Sequence, residues 1–78
     1  MNKYRVEYGF GENVCQVEEW QMINGLEIIE KENAEEAAKE AACTDGLENA
    51  MFRVFELIEN EFGKFEPVDP HRPEYFSF

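Results

Sequence analysis

Residues 3–10 read Lys3-Tyr4-Arg5-Val6-Glu7-Tyr8-Gly9-Phe10. Tyr4, Val6, Tyr8 and Phe10 alternate with Lys3, Arg5, Glu7 and Gly9, the period of two that sends successive side chains to opposite faces of a sheet. This is a half-buried strand, so the fold is built on a sheet with one wet face. Working outward, Gly11-Glu12-Asn13 reads as a turn, and Val14 to Ile23 fits neither a helical nor a strand period. Asn24-Gly25, set between apolar stretches, predicts a hairpin with a type I′ turn, which needs positive φ at both central positions. In that register Ile23 pairs with Leu26 and Trp20 with Ile29, and Glu19 falls opposite Glu30 as an unfavourable like-charge pair. Either the strand bulges there, or Val14 to Glu19 is a loop or short helix.

A helix follows. Asn33 stands at the N-cap position with Glu36 three residues on, as in a capping box, and Ala34-Glu-Glu-Ala-Ala-Lys-Glu-Ala-Ala-Cys43 continues it. Ala34, Ala37, Ala38, Ala41 and Ala42 share one face, and their small side chains allow close approach to a sheet. Gly46 is the expected left-handed C-terminal stop. Met51 to Ile58 is apolar at most positions and suits a central strand covered by the helix on one side. Glu59 to Gly63 turns, and Lys64 to Glu66 opens a short final strand. Pro67, Pro70 and Pro73 then end regular structure, because each lacks an N–H and biases its predecessor toward extended backbone.

The expectation is therefore an α+β fold: an antiparallel sheet of four or five strands with one helix packed on a face, in the order ββ(β)αββ. Residues 1–68 form the single domain, and residues 69–78 form an extended proline- and aromatic-rich tail. The aromatics of that tail, Tyr75, Phe76 and Phe78, either pack back on the sheet or dock on a partner.

Composition narrows the class. Eighteen Asp and Glu against seven Lys and Arg give 78 residues a formal net charge of −11, yet 44% of the residues are hydrophobic, so this is not the composition of an acidic disordered tail. A domain of this length buries about 60–65% of the surface its unfolded chain exposes, so the core is thin. Two cysteines are too few for a disulfide-stapled secreted scaffold, the N-terminus lacks a signal-peptide apolar stretch, and no apolar run reaches the roughly 20 residues that span a bilayer. A cytoplasmic protein with no membrane association is expected, repelled by bare nucleic acid as by anionic lipid.

The residues do not assemble a catalytic or metal motif. His71 is the lone histidine and has no second His or Cys at ligand spacing. Cys15 and Cys43 lack a neighbouring base and read as buried, inert thiols. Carboxylate pairs are so abundant that none singles out acid–base chemistry, and Gly9-Phe10-Gly11 lacks the spacing of a nucleotide-binding loop. We expect no enzyme activity and no cofactor.

The distribution of charge is more informative than its sum. Residues 1–25 carry −2, residues 26–50 carry −6 and residues 51–78 carry −3. The candidate partner-binding residues are accordingly Glu27, Glu30, Glu32, Glu35, Glu36 and Glu40, an acidic face with carboxylates spaced at about 6 Å, comparable to a row of phosphates. Trp20, Tyr75 and Phe76 are the candidate aromatic rim, since large rings supply contact area at low entropic cost.

The layout KYRVEY (3–8), LEIIEKENAEEAAKEAA (26–42) and MFRVFELIENEFGKFEPV (51–68) resembles the small β/α/β proteins of phages and other mobile elements, among which anti-CRISPR proteins are numerous. The resemblance lies in arrangement alone and assigns no residue a role. It implies a stoichiometric inhibitor whose partner is a basic surface of a nucleic-acid-processing complex, a Cas effector being the concrete example. Such an acidic body would bind where DNA or RNA otherwise lies and make no direct nucleic-acid contact, as a monomer or homodimer in the host-cell cytoplasm. The alternative is a non-catalytic assembly module that self-associates through a strand edge or through the aromatic tail.

Overall fold

The computed structural model describes residues 1–78. Strand β1 spans Asn2–Gly9, β2 Gln21–Met22, β3 Ile29–Lys31, β4 Met51–Glu59, β5 Phe65–Pro67 and β6 Glu74–Ser77, with helix α1 over Ala34–Ala42 between β3 and β4. All pairings are antiparallel, and β1 and β4 form the centre, in register from Lys3 opposite Leu57 to Gly9 opposite Met51.

The six strands occupy four rows. β2 and β3 both pair with the outer side of β1, and β5 and β6 both pair with the outer side of β4. Each outer row is one strand broken by an excursion. Between Tyr4 opposite Ile29 and Glu7 opposite Met22, two residues of β1 face the six of Ile23–Ile28. Between Leu57 opposite Pro67 and Val54 opposite Glu74, two residues of β4 likewise face the six of Val68–Pro73. The expected fold class therefore holds, with the helix on one face of the sheet, in the observed order βββαβββ.

Three local expectations are corrected. Asn24-Gly25 does not close a hairpin: Ile23 does not pair with Leu26 as strand, nor Trp20 with Ile29, because the flanking segments both pair with β1 instead. Leu26 N–H donates to Ile23 O at 3.0 Å, with φ of +85° at Gly25 alone, the signature of a type II turn. Glu19 and Glu30 are consequently not opposed. Gly46 (φ +87°) lies three residues past the Cys43 cap and serves a separate turn, where Leu47 N–H donates to Thr44 O. Regular structure does not end at Pro67: the tail of residues 69–78 supplies β6, which pairs with β4 through Phe76 opposite Phe52.

The segment Val14 to Glu19 contains a single 3-10 turn, Val14–Gln16, capped by Asn13 Oδ1 accepting from Cys15 N–H at 3.0 Å. Asn33 caps α1 as expected, with Oδ1 accepting from Glu36 N–H at 2.9 Å. Ala37, Ala38 and Ala41 are fully buried against Tyr4, Val6, Ile29, Phe52 and Val54. The alanine face thus sets the helix close to the sheet, and Phe52 (0% exposed) is the largest of the fully buried side chains.

Candidate functional site

Strand alternation divides the polar residues between two faces. Tyr4, Val6, Phe52 and Val54 point at the helix, so Lys3, Arg5, Glu7, Arg53, Phe55 and Leu57 point the other way. On this helix-free face the Arg53 guanidinium is ion-paired with Glu7 and lies 4.9 Å from the Trp20 ring centroid and 5.3 Å from that of Phe55. Lys3 Nζ lies 5.3 Å from the Phe65 centroid, and Trp20 and Tyr75 have centroids 6.1 Å apart. Phe55 and Leu57 are buried here without any covering helix, Phe55 beneath the Arg53 guanidinium. Arg5, opposite Phe55, has its Nε buried without a hydrogen-bond partner.

Chain from Gly11 to Trp20 folds back over one end of this face. Gly9 makes that possible: a Cβ there would stand 2.2 Å from Val17 Cγ1 and 2.9 Å from Glu19 O.

The six acidic candidates are all exposed, but the structure does not gather them on one surface. Glu35, Glu36 and Glu40 lie on the outer side of α1, and Glu32 just precedes it. Glu30 belongs to the helix-free face, where it meets Lys3 at 2.8 Å. The Lys3 ammonium, hydrogen-bonded to that carboxylate and opposite in charge, holds Glu30 below the usual carboxylate range. Glu27 accepts a hydrogen bond from Gly25 N–H within the first excursion. Glu36 and Glu40 are partly compensated, by Lys39 at 3.9 Å and Lys31 at 3.6 Å. The expected aromatic rim also divides: Trp20 and Tyr75 meet on the helix-free face, whereas Phe76 packs at the margin of the helix-side core.

Register adds carboxylates that spacing in the sequence could not find. Glu56 and Glu74 are brought beside the N-terminal end of α1 by β4 and β6, and Asp69 by the second excursion. Together with Arg72 they rim a cleft of about 300 Å³ floored by Tyr4 and Val54. Asp69 Oδ1 accepts from His71 N–H at 3.0 Å and its Oδ2 lies 3.9 Å from Arg72 Nε. The first excursion walls a second cleft, about 370 Å³, at the other end of the helix, beside Thr44 and Asp45. Each break in an outer row therefore makes one wall of a cleft at one helix end.

Of the eighteen carboxylates only Glu7 is sheltered from solvent; five ion pairs engage Glu7, Glu30, Glu36, Glu40 and Asp69, leaving thirteen without a cation within 4 Å. No group of three or more His, Cys, Asp or Glu is placed to hold a metal ion. Cys15 and Cys43 are free and, contrary to expectation, exposed. Cys15 sits in the 3-10 turn outside the core, and Cys43 is rotated off the buried alanine face at the helix end. No helix is long and apolar enough to cross a membrane.

Comparisons with protein-family models, with curated proteins and with solved structures each return no match.

Proposed function

We propose that this chain is a non-catalytic, acidic binding protein that inhibits a nucleic-acid-processing complex by occupying a basic groove. The observation that carries the reading is the surplus of exposed, cation-free carboxylates on a folded body. Glu56 and Glu74 line the cleft at the N-terminal end of α1 together with Asn33 and Ala34, and the exposed Glu32 and Glu35 are the chain neighbours of those two residues. Carboxylates held on a rigid scaffold attract a lysine- and arginine-lined surface without the ordering entropy that a disordered acidic tail loses. Occupation of that groove excludes nucleic acid by charge and by volume. The target class is the one implied by the resemblance of layout, a Cas effector.

The test is competition. A labelled DNA duplex bound to an RNA-guided effector is titrated with the protein at 50 and 300 mM NaCl, and displacement is followed by fluorescence anisotropy. Displacement at low salt that weakens at least about tenfold at high salt supports the reading. The variant Glu32→Gln/Glu35→Gln/Glu56→Gln/Glu74→Gln should displace more weakly while keeping its far-UV circular dichroism. Failure to displace the duplex at 50 mM NaCl refutes it.

A further inference from the structure

The outer rows of a sheet end in unpaired backbone groups, and most of the boundary here is closed to pairing. β2 has two residues and β3 three, separated by the Ile23–Ile28 excursion, and β5 ends at Pro67 with Pro70 and Pro73 following. β6, four residues from Glu74 to Ser77, is the longest open edge and carries neither proline nor lysine. Tyr75 and the adjacent Phe78 are 49% and 52% exposed beside it.

The directions of its backbone groups follow from the register. Val68 N–H donates to Glu56 O at 2.8 Å, so the even-numbered residues of β4 address the β5/β6 row. Phe52 and Val54 therefore bond Phe76 and Glu74, which face them. Tyr75 and Ser77 turn their N–H and C=O groups away from β4, to the open edge.

We propose that β6 is a self-pairing edge: two copies of this chain join antiparallel, β6 to β6, about a twofold axis centred on Phe76, and extend the sheet across the dimer. In this register Tyr75 faces the partner's Ser77, and Ser77 faces the partner's Tyr75. The two pairs exchange four backbone hydrogen bonds, and every donor they need has an N–H. Centring the axis on Tyr75 instead would set Ser77 opposite the partner's Pro73, which has no hydrogen to give. With the axis on Phe76, the two Phe76 rings form a close, non-hydrogen-bonded cross-strand pair on the helix side. Glu74 faces the partner's Phe78 rather than another carboxylate. The self-complementary register is what selects a second copy as the occupant of this edge. Two bodies of net charge −11 repel, so the association is of the weak, transient class and strengthens as salt screens it.

Sedimentation velocity on the full chain from about 10 µM to 1 mM, the span of weak affinities, tests this at 0.05 and 0.5 M NaCl. The dimer fraction should rise with concentration and with salt, opposite in salt dependence to binding of a basic target. Ser77→Pro removes two of the four intermolecular bonds and no intrachain one, and should lower the association constant by about tenfold or more, with circular dichroism unchanged. Ser77→Ala should leave association intact. If Ser77→Pro misfolds, amide exchange in the unaltered chain decides, since Tyr75 and Ser77 should gain protection as concentration rises. A monomer at 1 mM in 0.5 M NaCl, or a dimer indifferent to Ser77→Pro, overturns the proposal. Glu74 lies both in this seam and at the cleft, so target displacement by the Ser77→Pro variant is compared with the parent below the concentrations at which the chain pairs, where the two should match.

Discussion

Gly9→Ala measures how closely the Gly11–Trp20 segment is held to the sheet. Gly9 is buried and does not have positive φ, so the backbone itself accepts alanine. On an open surface this substitution would stabilise the chain by about 0.4–1 kcal/mol, by restricting the unfolded state. Here the added methyl falls 2.2 Å from Val17 Cγ1, more than 1 Å inside ordinary contact, and 2.9 Å from the backbone oxygen of Glu19. Val17 can rotate, but the Glu19 oxygen moves only with the chain that carries Trp20 across to Arg53 and Tyr75. Overpacking of this kind costs about 1–3 kcal/mol, so after the entropic gain a net loss of up to roughly 2.5 kcal/mol remains. Urea unfolding followed by circular dichroism should show a lower midpoint at unchanged slope, and Tm should fall by about 4–8 °C per kcal/mol. Trp20 fluorescence should shift red as the ring leaves the Arg53 guanidinium. Val17→Ala should relieve part of the penalty in the double variant, giving a favourable coupling between the two sites. A Gly9→Ala protein as stable as the parent or more so would refute the close packing of this segment.

Other expectations follow from the core, the cap and the ion pairs. Phe52→Ala, at a fully buried position facing α1, should destabilise by about 3–5 kcal/mol, read by the same urea titration. Asn33→Ala removes the oxygen that accepts from Glu36 N–H and should cost about 1 kcal/mol, with no change in the β-sheet signal of the folded state. Because Lys3 depresses the folded-state pKa of Glu30, this pair supports folding above the unfolded carboxylate pKa and loses that support as pH falls through the lower, folded value. Carboxyl-carbon NMR should therefore give Glu30 a titration midpoint below the ordinary range, returning to it in Lys3→Gln and at 1 M salt.

The alternation of Tyr4, Val6 and Tyr8, the alanine face of α1 and the Asn33 cap were legible in the chain, because a local period or cap is written in neighbouring residues. The helix-side core followed from them. Asn24-Gly25 marked a turn correctly but not its type or its strands: the dipeptide's own preference is weaker than the pairing of both flanking segments with β1. The prolines announce an extended tail but do not forbid β6, since a proline argues against a strand only where its N–H group is needed, and all three precede Glu74 or end β5.

Charge shows the same division. The number of carboxylates, and their excess between residues 26 and 50, belonged to the sequence. Which of them share a surface did not, because that depends on contacts between residues far apart along the chain. A strand alternates its faces, so the antiparallel register sent Glu30 to the helix-free side and into the field of Lys3, while carrying Glu56 and Glu74 to the end of the helix. Local periodicity determined the elements and the amount of charge; only the register of six strands decided where the unpaired charge stands and which strand edge remains open.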